Sequence, residues 1–231
     1  MIEIKDLTKT YGGTTVLDIP ELLIEKGESF GLVGNNGAGK TTLFRLLLDL
    51  IRADSGYVTS NGKDVSKDDS WKHFTGSYLD EGFLIDFLMP EEYFEFLADI
   101  NGLSEGDLQE FYHRFGEFFN NEVLGKNKYI RDLSSGNQQK VGIAASMIAL
   151  PDVLILDEPF NSLDPSTQLR LIRMLNELKE ERPVTILVSS HDLNHVTEVC
   201  KRIVVLEKGL IVHDLKKSDT TLAELEKYFA V

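Results

Sequence analysis

A single cysteine, Cys200, stands among 231 residues, so no internal disulfide can form and the chain suits a reducing cytosol. No apolar run approaches the roughly 20 residues that cross a bilayer, so a membrane role requires docking onto something else that spans it. Basic residues are outnumbered, 24 Lys and Arg against 38 Asp and Glu, for a net charge of −14. So acidic a surface repels phosphate backbones and anionic lipid, which argues against nucleic acid as a partner and against a basic membrane patch. Internal repeats and low-complexity segments are missing too. Met1 to Leu7 alternates apolar and charged residues and reads as a strand, not a signal peptide. Apolar residues make up 42% of the chain, enough for a sizeable core in one domain or one domain with a lobe.

The pattern along the chain predicts an α/β fold. Residues 1–30 hold short alternating stretches broken by Gly12-Gly13 and Lys26-Gly27, the mark of antiparallel strands. Ser29 to Val33 reads as a strand, followed after a loop by a helix from Lys40 to about Leu50. Gly56 to Val58 and then Asn61-Gly62 predict a hairpin turn, with Trp71 and Phe74 on a helix after it and Lys67-Asp68-Asp69 as a solvated turn. From about 83 to 147 the pattern is helical. Pro90, Glu91 and Glu92 start one helix and Gly102 stops it. Leu108, Phe111, Tyr112, Phe115 and Phe119 make an apolar stripe at helical spacing, expected to be core. Residues 152–156, 184–189 and 203–206 are branched-aliphatic runs that read as buried parallel strands. Thr221 with Glu224 predicts a capping box for a short C-terminal helix, Leu222, Leu225 and Phe229 facing inward.

Chemistry enters at Gly34-Asn35-Asn36-Gly37-Ala38-Gly39-Lys40-Thr41, which fits G-x-x-x-x-G-K-[ST] between a strand and a helix. Glycines let successive backbone N–H groups converge on phosphates, and the helix that follows points its positive end at them. Gly34, Asn35, Asn36, Gly37, Ala38, Gly39, Lys40, Thr41 and Thr42 are therefore the candidate ATP-binding set. Lys40 neutralises the β- and γ-phosphates and Thr41 ligates Mg²⁺. Val153 to Leu156 is an apolar strand ending in Asp157-Glu158-Pro159. Asp157 is placed for the Mg²⁺ shell and Glu158 to poise a water for attack on the γ-phosphate. Residue alternation at the strand's frayed end would split the two roles.

With these motifs the chain resembles the ABC ATPases, across nearly its whole length. Leu133-Ser134-Ser135-Gly136-Asn137-Gln138-Gln139 is similar to the signature that separates this family from other P-loop NTPases. Asn161-Ser162-Leu163-Asp164 resembles the D-loop, His191 the switch histidine, Tyr11 the aromatic that stacks on adenine, and Glu81 the Q-loop residue, a further metal ligand. The resemblance implies a P-loop NTPase core with a mixed, mainly parallel sheet, an antiparallel β subdomain and an α-helical subdomain. It places the core and β subdomain at about 1–82 and 148–216, the helical subdomain at about 83–147 and a C-terminal helix at about 217–231. It also implies a head-to-tail dimer, each ATP lying between one subunit's phosphate loop and the other's Ser134 and Gly136, with Asp164 linking the sites. Lys40, Glu158 and His191 are then catalytic, and Thr41, Asp157 and Glu81 hold the metal. The sequence departs from the family at Ser135, where the signature has glycine, at Asn137, where it has glutamine, and at Glu81, where glutamine is commoner. These changes bear on turnover more than on ATP binding.

The expected function is that of the ATP-binding and hydrolysing subunit of an ABC transporter, closest in kind to bacterial export-type or antibiotic-resistance-type ATPases. Its partners are a separate transmembrane permease and a second nucleotide-binding subunit, identical or paired. It would sit on the cytoplasmic face of the membrane through that permease. Phe83, Leu84, Ile85, Phe87, Leu88 and Met89 supply apolar surface where the family receives a helix of the membrane partner. The alternatives are a soluble ABC ATPase serving cofactor assembly and a nucleotide-binding regulator without useful turnover. His73, His113, His195 and His213 read as surface or structural, and Cys200 as a buried small hydrophobe.

Overall fold

The computed structural model describes residues 1–229, except the side chain of Glu81. Strands β1 (Ile2–Tyr11) and β2 (Thr14–Ile24) form an antiparallel hairpin turned by Gly12 and Gly13, both at positive φ. After β3 (Ser29–Val33) and α1 (Lys40–Leu47) comes a second hairpin, β4 (Ser55–Ser60) with β5 (Lys63–Asp64). Its turn residues Asn61 and Gly62 sit at φ 50° and 79°, the left-handed pair that a two-residue hairpin prefers. These strands make a four-stranded sheet in the order β2-β1-β4-β5, paired antiparallel throughout.

The remaining elements build the larger layer. β6 (Thr75–Tyr78) leads to three helices, α2 (Pro90–Ile100), α3 (Glu105–Phe119) and α4 (Ser135–Met147). Then follow β7 (Val153–Leu156), α5 (Pro165–Glu181), β8 (Thr185–Ser190), α6 (Leu193–Val199), β9 (Arg202–Glu207), β10 (Leu210–Lys216) and α7 (Thr221–Phe229). The six-stranded sheet runs β10-β9-β3-β8-β7-β6, parallel except for β10 at the edge. Every residue of β3, β7 and β8 is buried, which is why they read as continuous apolar runs.

Alternation along these central strands divides the core in two. Leu154, Leu156, Ile186, Val188, Ile203 and Val205 join a cluster with α2 to α6. Their neighbours Val153, Ile155, Leu187, Val204 and Leu206 join a cluster with α1 and the antiparallel sheet. The α3 stripe belongs to the first. Phe111 and Phe115 are buried with ring centroids 4.7 Å apart, and Phe94 of α2 lies 5.0 Å from Phe111. Phe118, outside the expected stripe, is also buried, whereas Tyr112 is half-buried and burial pushes its hydroxyl up to about 12. Cys200 is buried, its thiol pushed up to about 12 by burial, so it packs as a small apolar side chain.

Three local expectations shift. Helix α1 ends at Leu47, not about Leu50, because Asp49 turns left-handed at φ 49°. Trp71 and Phe74 lie on a single 3₁₀ turn, Ser70–Phe74, with the Trp71 indole donating to the Val65 carbonyl at 3.1 Å. At α7 the pairings are offset from Thr221–Glu224: the Thr221 hydroxyl accepts the Ser218 N–H at 2.8 Å, and the Thr220 hydroxyl donates to Glu224 at 2.7 Å. Thr221 and Leu225 are buried, Leu222 and Phe229 half-buried.

Candidate functional site

The glycine-rich loop fills the turn from β3 to α1, and its glycines answer to contacts. A Cβ on Gly34 would lie 2.3 Å from the Leu206 carbonyl oxygen on β9, and one on Gly39 would lie 2.8 Å from the Val16 carbonyl on β2. Gly37 and Gly39 take φ of 81° and 109°, a region open to glycine and closed to most other residues. The loop is thus pressed between both sheets, and α1 begins directly after Gly39 with Lys40. Lys40 is buried, and its ammonium donates to the Gly34 carbonyl at 2.7 Å.

Two acids from the end of β7 meet this loop. The Asp157 N–H donates to the Tyr78 carbonyl of β6 at 2.8 Å, which keeps Asp157 aligned with the sheet. Its carboxylate accepts the Thr41 hydroxyl at 2.5 Å and also the Ser189 hydroxyl. Burial pushes the Asp157 carboxyl above the usual range, and the neighbouring Glu158 charge adds to this; the two hydroxyls and Lys40 oppose it. Glu158 departs from strand geometry altogether, at φ 46°. The two acids therefore diverge by a left-handed residue, not by the strand alternation expected from the sequence. Glu158 Oε1 pairs with Lys40 at 3.2 Å, and Oε2 lies 2.9 Å from His191 Nδ1 and accepts the His191 N–H at 3.3 Å. The Glu158 N–H donates to the Ser189 hydroxyl at 2.9 Å, so Ser189 ties both acids to β8.

Thr41 and Asp157 put a hydroxyl and a carboxylate oxygen side by side next to the phosphate loop. That oxygen donor set fits a small hard cation such as Mg²⁺, which keeps most of its shell for phosphate oxygens and water. The reading of Glu81 as a ligand falls on a side chain outside the described residues.

The other predicted residues stand apart from this cluster. Ser134 caps α4, its exposed hydroxyl accepting the Asn137 N–H at a long 3.3 Å. Among the described residues Ser134 makes no hydrogen bond to Lys40, Thr41, Asp157, Glu158 or His191. Gly136 packs so near the D-loop stretch that a Cβ would lie 2.6 Å from the Ser162 carbonyl. Ser135 is the first, exposed residue of α4, with ordinary helical backbone, so a side chain fits there. Asp164 caps α5, accepting from the Ser166 and Thr167 amides and hydroxyls; those hydroxyls hold its carboxyl well below the usual range. Tyr11 is exposed at the end of β1, the Lys9 ammonium 5.2 Å from its ring centroid.

Sequence reasoning missed Ser189 and Gln139 as site residues; His195, read as surface or structural, stacks its ring on Phe160 at 4.4 Å between centroids. Gln139 is buried and donates to the carbonyls of Pro159, at 2.7 Å, and Glu158, at 3.4 Å. Ser189 carries the one signal that pointed here, as the polar end of an apolar strand just before His191. Away from the cluster, exposed Phe83 and Ile100 help line a groove of about 450 Å³ together with Trp71, Leu84, Tyr93 and Leu97.

Comparisons with known proteins identify the family and the fold. The family model described as "ABC transporter" matches residues 17–161. An uncharacterized ABC transporter ATP-binding protein of Methanocaldococcus jannaschii is 38% identical over 221 residues, covering 94% of this chain and 78% of that protein. The bacitracin transport ATP-binding protein of Enterococcus faecalis is 33% identical, covering 95% and 70%. Among solved structures, an ATP-binding subunit of an ABC transporter superposes with a TM-score of 0.81 at 27% identity, covering 100% of this chain and 93% of that one. A dimeric cassette in a post-hydrolysis state bound to ADP and Pi superposes with a TM-score of 0.80 at 25% identity, covering 94% and 98%.

Proposed function

This chain belongs to the ABC transporter family as an ATP-binding and ATP-hydrolysing subunit, and we propose that it works through a head-to-tail dimer in which ATP forms part of the interface. The observation that carries this reading is the division of the site. Lys40, Thr41, Asp157, Glu158 and His191 form one bonded cluster, while Ser134 and the start of α4 offer a hydroxyl and free N–H groups outside it. A γ-phosphate held in the loop would lack donors on one side until a second copy brings its Ser134. Hydrolysis would then remove the contact that holds the pair shut, a switch that requires ATP to favour the closed form more than ADP does.

In this reading the loop Gly34–Thr42 binds the phosphates, Lys40 neutralises them and Tyr11 stacks on adenine. Thr41 and Asp157 would hold Mg²⁺, which supplies charge neutralisation at the phosphates. Glu158 orients the attacking water, and His191, bonded to the same carboxylate, senses the γ-phosphate. Asp164 would link the two sites across the dimer. The subdomains follow the same scheme, with core and antiparallel sheet at about 1–82 and 148–216, helices at about 83–147 and the last helix at about 217–231.

A transmembrane permease would be the working partner, docking at the groove of Phe83, Leu84, Tyr93 and Ile100 and holding the subunit at the cytoplasmic face. The likeness to a bacitracin transport subunit supports an export-type or antibiotic-resistance-type system. Lys40→Ala tests the phosphate site. Nucleotide affinity and turnover should both fall, turnover by about a hundredfold or more; wild-type hydrolysis by this variant would refute the assignment.

A further inference from the structure

The signature helix and the hydrolytic acid are bonded to each other inside one protomer. Gln139 lies on α4, little more than a turn beyond the Ser134 cap, and is 2% exposed. Its amide donates to the carbonyl of Pro159 at 2.7 Å and to that of Glu158 at 3.4 Å. The acceptors are not interchangeable with water, because a buried amide donor left unpaired is costly. They belong to a stretch that needs outside support: Glu158 stands at φ 46° and Ser162 at φ 58°, conformations that an L-residue keeps only when its surroundings hold it there.

A second contact ties the same two elements. Gly136 approaches the Ser162 carbonyl closely enough that a Cβ would sit 2.6 Å from it. On its other flank the stretch is held by the core: Gln168 of α5 donates to the Phe160 carbonyl at 2.9 Å, and the His195 ring of α6 stacks on Phe160. A displacement of α4 is therefore delivered to the backbone of Glu158 and Pro159 through the Gln139 side chain, and to that of Ser162 through Gly136.

We propose that Gln139 is a positioning residue which makes Glu158 of a protomer respond to the nucleotide engaged by that protomer's own Ser134. This rests on the reading that Ser134 grips an ATP held by the second copy. Each protomer touches both nucleotides, one with its signature and one with Glu158, and Gln139 joins the two contacts. The sites then report on each other within a chain, without a direct bond between the nucleotides. A misplacement of about 1 Å at a catalytic group can cost on the order of a hundredfold in rate, so a small movement of α4 is enough to gate hydrolysis.

The test uses the full chain with Gln139→Met, which keeps the volume and removes the donor. Affinity of the isolated subunit for ADP should stay within about twofold, as should the ATP concentration that drives pairing in a Glu158→Gln background. The kcat for ATP should fall about ten- to a hundredfold with KM shifted by less than about twofold, and the Hill coefficient should fall toward 1. An unchanged kcat and Hill coefficient would overturn the proposal, as would a kcat that drops only in proportion to lost pairing. If Gln139→Met folds poorly, Gln139→Leu, which also lacks a donor and keeps most of the volume, is measured instead, and the same results decide. A Glu158→Gln protein that never pairs would sink the head-to-tail reading and this proposal with it, whereas normal pairing with normal turnover sinks this proposal alone.

Discussion

The Thr41 hydroxyl donates to Asp157 Oδ2 at 2.5 Å, joining the first residues of α1 to the end of β7. The contact places a hydroxyl and a carboxylate where a nucleotide's metal would sit, and it does so at a cost. Asp157 is buried, and burial raises its carboxyl pKa. A raised carboxyl favours the folded state below its unfolded pKa, and that advantage is lost as pH rises through the folded value. Above that value Asp157 is therefore a destabilising group kept for its chemistry. Asp157→Asn should raise the Tm of the protein at pH 7 by about 2–4 °C, while hydrolysis falls by more than about a hundredfold. Calorimetry from neutral pH down to about pH 4 checks the sign: the gain should shrink as pH falls toward the unfolded carboxyl's value.

The signature glycine and the serine beside it should behave in opposite ways. Gly136 faces the Ser162 carbonyl, with 2.6 Å available to a Cβ, whereas Ser135 begins the helix on an exposed backbone. Gly136→Ala should lower stability by about 1–3 kcal/mol through overpacking. Ser135→Gly should change it by no more than about 1 kcal/mol. Urea unfolding measures both, and equal effects would contradict the packing account.

Asp164 has a structural duty inside its own chain. It accepts two backbone N–H groups at the start of α5, which with the Ser166 and Thr167 hydroxyls keeps its carboxyl below the usual range. Asp164→Ala should cost about 1 kcal/mol as a lost helix cap. A depressed carboxyl stabilises above its unfolded pKa, so the gap between wild type and variant should be full above about pH 4 and close as pH falls further. A gap unchanged down to pH 2 would contradict this.

Much of the fold was legible because the strands that cross the core are buried on both faces and leave uninterrupted runs such as Val153 to Leu156. The phosphate loop was legible because its glycines and Lys40 are adjacent in sequence. What escaped depends on contacts between distant segments. The left-handed turn at Glu158 carries no glycine to announce it, and it is held by Ser189 and Gln139 from other elements. Gln139 itself reads as one polar residue among several at the start of α4. The α7 pairing moved because Ser218, Thr220 and Thr221 offer competing hydroxyls within four residues, and packing selects among them. His195 acquires its role from Phe160, which lies on another segment altogether.

In the proposed dimer ATP joins two copies, held in the phosphate loop of one and capped by Ser134 of the other. The most direct measurement is light scattering on Glu158→Gln at saturating ATP and Mg²⁺, with and without Ser134→Ala. Glu158→Gln should run at twice the monomer mass in ATP and at the monomer mass in ADP, and adding Ser134→Ala should raise the ATP needed for pairing by about tenfold or more. A Glu158→Gln protein that remains monomeric in ATP and Mg²⁺, or one whose pairing ignores the loss of Ser134, would contradict the claim.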